Sequence, residues 1–203
     1  MLYQTNKIKV LVIGDKPQEK TRLLYSYVNG RPPQEYCHIV FDNHIIKFQI
    51  NGEEYMVHLW DSAGQERYER LRELSYKDKD IFLICFSMAC KFSFQNAILK
   101  WQNEVSQYEN KNGVTMMLGL KSEERDLFYQ SLENDHVNET IRSMGLQYRE
   151  VNLNTLEGLT EAFNECIKIV IDKRQEHVQL QLQKQNLIQV RQQKKQSSEC
   201  QLQ

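Results

Sequence analysis

The sequence predicts an α/β fold: a mostly parallel sheet covered by helices on both faces. Two observations carry this expectation. Short, β-branched apolar runs alternate with segments of helical periodicity through the first 172 residues. Several of those runs are apolar throughout rather than alternating, as strands buried on both faces are.

Lys7 to Gly14 (KIKVLVIG) is the first such run and ends in glycine, which suits a buried strand. Lys20 to Val28 has a helical pattern, which Gly30, Pro32 and Pro33 break. His44 to Ile50 and Glu54 to Leu59 are strand-like and flank Asn51-Gly52, the strongest short signal for a hairpin. Asp80 to Ser87 (DIFLICFS) and Val114 to Gly119 (VTMMLG) are further buried-strand runs, with a helix expected between them from Phe92 to Tyr108. Asn134 to Met144 is a weaker helix candidate, and Gln147 to Asn152 a short last strand. In the final helix Ala162, Phe163, Cys166, Ile167, Val170 and Ile171 recur at the spacing of one buried face. From Lys173 the composition changes, and eleven of the last 31 residues are glutamine. Residues 173–199 hold six Lys/Arg against two acids, a balance of +4. The expected organisation is therefore a domain over residues 1–172 and a weakly basic, helical or disordered tail over 173–203.

Bulk properties exclude several classes. At 203 residues, 40% hydrophobic and 26% charged, the chain suits one globular domain plus a tail. A net charge of −1 gives no reason to expect nucleic acid or an acidic substrate. The five cysteines form no C-x-x-C pair and have no metal-ligand spacing, so reduced thiols in a cytoplasmic protein are expected. The strand pattern begins too early for a signal peptide, and no apolar stretch approaches membrane-spanning length. The five histidines are scattered singly.

Residues 14–21, GDKPQEKT, carry the first chemistry. Gly14, Lys20 and Thr21 occupy three of the four fixed positions of the phosphate loop G-x-x-x-x-G-K-[ST], and Glu19 stands at the fourth. Strand, loop, Lys-Thr and helix is the context that motif requires. A second element follows a later strand: Trp60-Asp61-Ser62-Ala63-Gly64-Gln65-Glu66. Its aspartate suits a magnesium ion held through water, and its glutamine suits orienting an attacking water.

With VFDN at 40–43, LWDSAGQERYERLRELSY at 59–76 and DIFLICFS at 80–87, the chain resembles the small GTPases of the Ras superfamily, and more narrowly the Rho/Rac branch. The resemblance runs from about Lys7 to Lys173. It implies a three-layer P-loop fold, with a six-stranded sheet, about five helices, and the ligand outside the carboxyl ends of the strands. It implies GTP/GDP and Mg2+ as ligands, with Gly14, Lys20, Thr21, Asp61, Gly64, Lys121 and Glu123 at the nucleotide. Thr21 and Asp61 would serve the metal and Gln65 the catalysis. Val40, Phe41, Asp42, Asn43 and Tyr68 match the effector-facing surface. Rho-type effectors, exchange proteins and activating proteins are the implied partners, and a monomer is expected. Cys200, four from the end, matches a prenylation box, which would place the protein on the cytoplasmic face of a membrane.

The departures from the family pattern are as informative as the matches. Pro17 removes a backbone N–H from a loop that works by pointing N–H groups at phosphate. Glu19 adds a like charge there, and Lys16 puts a long side chain where the family keeps glycine. Pro32 replaces the phenylalanine that stacks on guanine, and Ile39 replaces the first-switch threonine that ligates magnesium. The base-reading segment is Leu120-Lys121-Ser122-Glu123, whose acid is one methylene longer than the usual aspartate. Asn152-Leu153 replaces Ser-Ala beside the base oxygen.

Three readings follow. The first is a GTP-hydrolysing Rho-like switch in signal transduction with weakened nucleotide affinity; Lys16, Glu19 and Ile39 weigh against hydrolysis. The second is a pseudo-GTPase that presents a Rho-like effector surface without cycling. The third is a membrane-tethered scaffold whose glutamine-rich helix pairs with another, against which its broken heptad spacing speaks.

Overall fold

The computed structural model describes residues 6–15, 17–33, 43–62, 69–121, 132 and 134–199. Six strands, β1 (Lys7–Gly14), β2 (His44–Ile50), β3 (Glu53–Asp61), β4 (Ile81–Ser87), β5 (Val114–Lys121) and β6 (Gln147–Asn152), form one sheet in the order β2-β3-β1-β4-β5-β6. Only the β2–β3 pair is antiparallel. Its connection is the Asn51-Gly52 turn, in which both residues have positive φ, 53° and 80°, as the two-residue hairpin turn requires. The β4 residues are all buried, as expected of a strand covered on both faces. On β2, at the sheet's edge, no residue is fully buried.

Helices cover both faces. α1 (Pro17–Asn29) follows β1, and α2 (Glu69–Tyr76) follows β3. A helical stretch after β4 consists of α3 (Lys91–Asn96), a π-helical segment (Ala97–Gln102) and α4 (Asn103–Ser106). α5 (Asn134–Ser143) precedes β6, and α6 (Leu159–Glu199) follows it. One buried cluster joins Leu11, Ile13, Phe82, Ile84 and Phe86 of the strands to Tyr76, Phe94, Trp101, Val105 and Val137 of the helices. Elsewhere, α1 meets the start of α6, which in turn meets β5. The Tyr27 and Phe163 rings stack at 3.9 Å, and Cys166 Sγ lies 3.6 Å from Met116 Sδ.

The structure differs from the sequence reading at two helices, α1 and α2. α1 begins at Pro17 rather than Lys20. Proline is favoured at the first helical position because its fixed φ suits the helix and its missing N–H bonds nothing there. Glu19 then adds a favourable negative charge in the first turn. α2 was not foreseen from periodicity, being only eight residues long. α6 runs without interruption to Glu199.

The chain divides into two compact units, Met1–Val170 and Ile171–Gln203. In the first, Ala162, Phe163, Cys166, Ile167 and Val170 are buried. The second is helical to Glu199, and Leu180, Leu182 and Ile188 are exposed on it.

Candidate nucleotide site

In a parallel sheet the strands share one carboxyl edge, and here Gly14, Asp61, Ser87, Lys121 and Asn152 end five strands along it. Register fixes the neighbours: Val12 pairs with Asp61, Gly14 with Cys85, and Lys121 with Asn152. Gly14 is required there by its surroundings. Its φ is +146°, and a Cβ would lie 2.2 Å from the Cys85 carbonyl oxygen.

α1 carries Lys20 and Thr21 back over this edge. Lys20 is fully buried, and its ammonium donates to the Gly14 carbonyl at 2.7 Å. The Thr21 hydroxyl donates to Asp61 Oδ2 at 2.5 Å. The structure thus brings together four residues expected at the site: Gly14, Lys20, Thr21 and Asp61. Burial pushes the neighbouring Cys85 thiol well above its ordinary pKa, with Lys20 opposing and Glu19 and Asp61 adding to the shift.

The phosphate loop itself is short. The motif needs an open loop between its first glycine and its lysine, whose N–H groups wrap the phosphates. Here β1 ends at Gly14 and α1 starts at Pro17, so only Asp15 and Lys16 lie between them. Asp15 is committed elsewhere: it accepts from Asn96 Nδ2 at 2.8 Å and from Trp101 Nε1 at 2.7 Å. As a phosphate nest this arrangement does not fit. The hard oxygen donors of Thr21 and Asp61, in contrast, suit a magnesium ion by type.

The base side also departs from the family pattern. Asn152 Oδ1 accepts the backbone N–H groups of Asn154 and Thr155, at 2.9 and 3.1 Å, and Leu153 is fully buried. Arg22 Nη2 donates to Asn154 Oδ1 at 2.5 Å, tying this loop to α1. The Asn152 side-chain oxygen and the Leu153 side chain are thus both taken up within the protein.

Lys16, Ile39, Val40, Phe41, Asp42, Gly64, Gln65, Tyr68, Glu123 and Cys200 lie outside the described residues, as does the Lys121 side chain. Asn43 is exposed just before β2. Sequence reasoning missed Asp15 and the Arg72–Glu104 pair. Arg72 donates to both Glu104 oxygens, at 2.9 and 3.0 Å, and the Tyr76 hydroxyl adds a third bond at 2.8 Å. A tryptophan on an apolar helical face was the one available signal, because a buried indole N–H needs an acceptor.

A six-stranded sheet with Lys-Thr after its first strand and an aspartate ending its third defines a P-loop α/β protein. Comparison with known proteins narrows the class. A Ras family profile matches residues 9–172. The chain is 34% identical over 170 residues to the Ras-like GTP-binding protein RHO1 of Entamoeba histolytica, across 82% of this chain and 78% of that protein. It is 34% identical over 182 residues to the Rho-related protein racC of the same organism, across 84% and 93%. The Rho-related protein racE of Dictyostelium discoideum is 33% identical over 177 residues, across 83% and 79%. The chain belongs to the Ras family and is a Rho-like small GTPase in fold and descent. Among the described residues, no helix is long and apolar enough to cross a membrane.

Proposed function

We propose that the protein acts in small-GTPase signalling as a Rho-like module that binds GTP and GDP far more weakly than an intact phosphate loop allows, with correspondingly little hydrolysis. One observation carries this reading: α1 begins at Pro17, leaving two residues where the phosphates need a wrapping loop. A carboxylate at position 19 compounds the loss. At about 4 Å from a phosphate its repulsion amounts to about 1 to 4 kcal/mol, depending on screening. Each 1.4 kcal/mol or so is tenfold in affinity, so this residue alone is worth about 0.7 to 3 decades. Magnesium, when nucleotide is bound, would rest on Thr21 and, through water, on Asp61, and would neutralise phosphate charge. Ile39 offers it no hydroxyl.

Rho-type effectors, exchange proteins and activating proteins are the proposed partners, engaged through Val40, Phe41, Asp42, Asn43 and Tyr68. Lipid attachment at Cys200, aided by the basic residues from Lys184 to Lys195, is the proposed route to a membrane surface. Intact mass of protein made in eukaryotic cells decides that point, and an unmodified Cys200 with Gln201, Leu202 and Gln203 retained removes it. A second reading, a pseudo-GTPase binding module that never cycles, is favoured by the internal Lys20–Gly14 and Thr21–Asp61 bonds.

Titration of a fluorescent GDP analogue into wild type and Glu19→Gly tests the proposal. Expected are micromolar or weaker binding by wild type and about fivefold or more tighter binding by the variant. Equally tight binding by both would overturn it.

A further inference from the structure

Two buried donors outside the nucleotide site stand side by side. Lys79, between α2 and β4, is 5% exposed, and its ammonium lies 4.4 Å from the Trp60 ring centre. Among the described residues that ammonium makes one long hydrogen bond, 3.4 Å to the Lys77 carbonyl, and no ion pair. Burial holds the Lys79 pKa below its ordinary value, with Lys9 adding to the shift and Asp78 and Asp80 opposing it. The Trp60 indole N–H is buried as well and has no acceptor among the described residues. Buried donors left in this way are costly, and one anionic acceptor would serve both. The sheet around them favours such an acceptor. Register sets Lys9 beside His58, and Lys7 and Lys47 on either side of Met56, and residues so paired share one face. Lys7 and Lys47 are exposed there, and Lys9, Met56 and His58 are half-buried. The His58 pKa is lowered first by burial and then by Lys7 and Lys9, so the potential along this row is positive.

We propose that Lys79 and Trp60 form a recognition site for a carboxylate side chain of a partner protein, carried on an acidic segment that lies along the Lys7, Lys9 and Lys47 face. In the free protein Lys79 rests on the indole, a contact weak enough for its flexible four-carbon stem to swing away. The incoming carboxylate accepts from the ammonium and from the indole N–H. It thereby replaces a cation–π contact and a long bond by two charge-assisted hydrogen bonds. A protein side chain suits the site better than a membrane does. The two donors are recessed, so a single side chain reaches them and a flat layer of headgroups does not. Acids also lie among the cations: Glu54 is 3.2 Å from the Lys47 ammonium, and Asp80 accepts the Lys9 backbone N–H at 2.8 Å. Both would repel an anionic surface. The inference is independent of the nucleotide proposal, because neither Lys79 nor Trp60 is assigned to the nucleotide.

The test uses the full chain, an acetylated hexaglutamate peptide as probe, and the NMR signal of the Trp60 indole proton. That signal is told from the Trp101 signal by its loss in Trp60→Phe. Millimolar hexaglutamate is expected to move it downfield, as a proton moves on gaining a carboxylate acceptor, and hexaglutamine is expected to leave it in place. Lys79→Met keeps the bulk of the stem and removes the charge. It is expected to bind hexaglutamate about tenfold or more weakly, the loss of one hydrogen bond to a charged group. The same variant is expected to melt no lower than wild type, because an ammonium buried without a carboxylate does not stabilise the fold. An unmoved Trp60 signal, or equal binding by Lys79→Met, would overturn the inference. So would an equal shift with inorganic phosphate or phosphatidylserine vesicles in place of the peptide. Melting of Lys79→Met several degrees below wild type would overturn it too, by making the ammonium a structural group.

Discussion

Gly14 illustrates how one residue serves two constraints. As the first glycine of a phosphate motif it reads as a loop residue, yet in the fold it is the last residue of β1, pressed against the backbone of β4. With φ at +146° and the Cys85 carbonyl oxygen 2.2 Å from where a Cβ would sit, no other side chain fits without moving the strand pair. Gly14→Ala should therefore cost about 3 kcal/mol or more in strain and displacement. That corresponds to a fall of about 6 to 12 °C in melting temperature at this domain size. A thermal melt within 2 °C or so of wild type would mean that the β1–β4 crossing relaxes easily. That Gly14, Lys20, Thr21 and Asp61 meet at one edge of the sheet was legible because a motif fixes their spacing. Their partners were not legible. The Thr21–Asp61 bond spans 40 residues and the Asp15–Trp101 bond 86, and no local pattern encodes contacts of that range.

At the scale of elements, strands were read most securely, because a buried strand and a hairpin turn each leave a short-range mark. The β2–β3 hairpin follows from Asn51-Gly52 alone, and β4 from seven consecutive buried positions. Helix boundaries were harder to place. The helical pattern put the start of α1 at Lys20. Proline followed two residues later by glutamate is also a helix-start signal, and α1 starts at that proline. The segment from Phe92 to Tyr108 was read as one helix and contains a π-helical turn over Ala97–Gln102, which a 3.6-residue periodicity does not resolve. α2 depends on distant bonds. Its Arg72 side chain is 5% exposed and is held by Glu104 in a bidentate pair. Burial opposes the Arg72 charge, but the Glu104 carboxylate more than offsets it, so the guanidinium pKa stays above its ordinary value. Tyr76, whose hydroxyl joins the same carboxylate, has its pKa raised first by burial and then by that bond. With Arg72 buried and Glu104 half-buried, removing one partner costs more than an exposed helix pair is worth.

For the whole molecule, these bonds bear on whether a Rho-like fold still switches. A ligand shifts a conformational equilibrium only by the difference in its affinity for the two states. In a nucleotide switch that difference comes from magnesium and the terminal phosphate gathering the two switch segments. Here Lys20, Thr21 and Asp61 have partners within the protein, Ile39 has no hydroxyl to offer, and α2 is pinned to α4 through Glu104. Arg72 lies 5.3 Å from the Trp101 ring centre, and that indole bonds Asp15, so the anchored α2 is also linked to what remains of the loop. On the proposed reading, little differential affinity is left for a triphosphate to exploit. Hydrogen exchange in α2, Glu69 to Tyr76, should therefore be nearly the same with saturating magnesium-GDP and with a non-hydrolysable magnesium-GTP analogue. Glu104→Gln should raise exchange in α2 under both conditions, because it strips the charge that holds Arg72 while preserving side-chain size. Strong protection of α2 by the triphosphate alone in wild type would show that the switch still works and that the Arg72–Glu104 anchor does not hold it still.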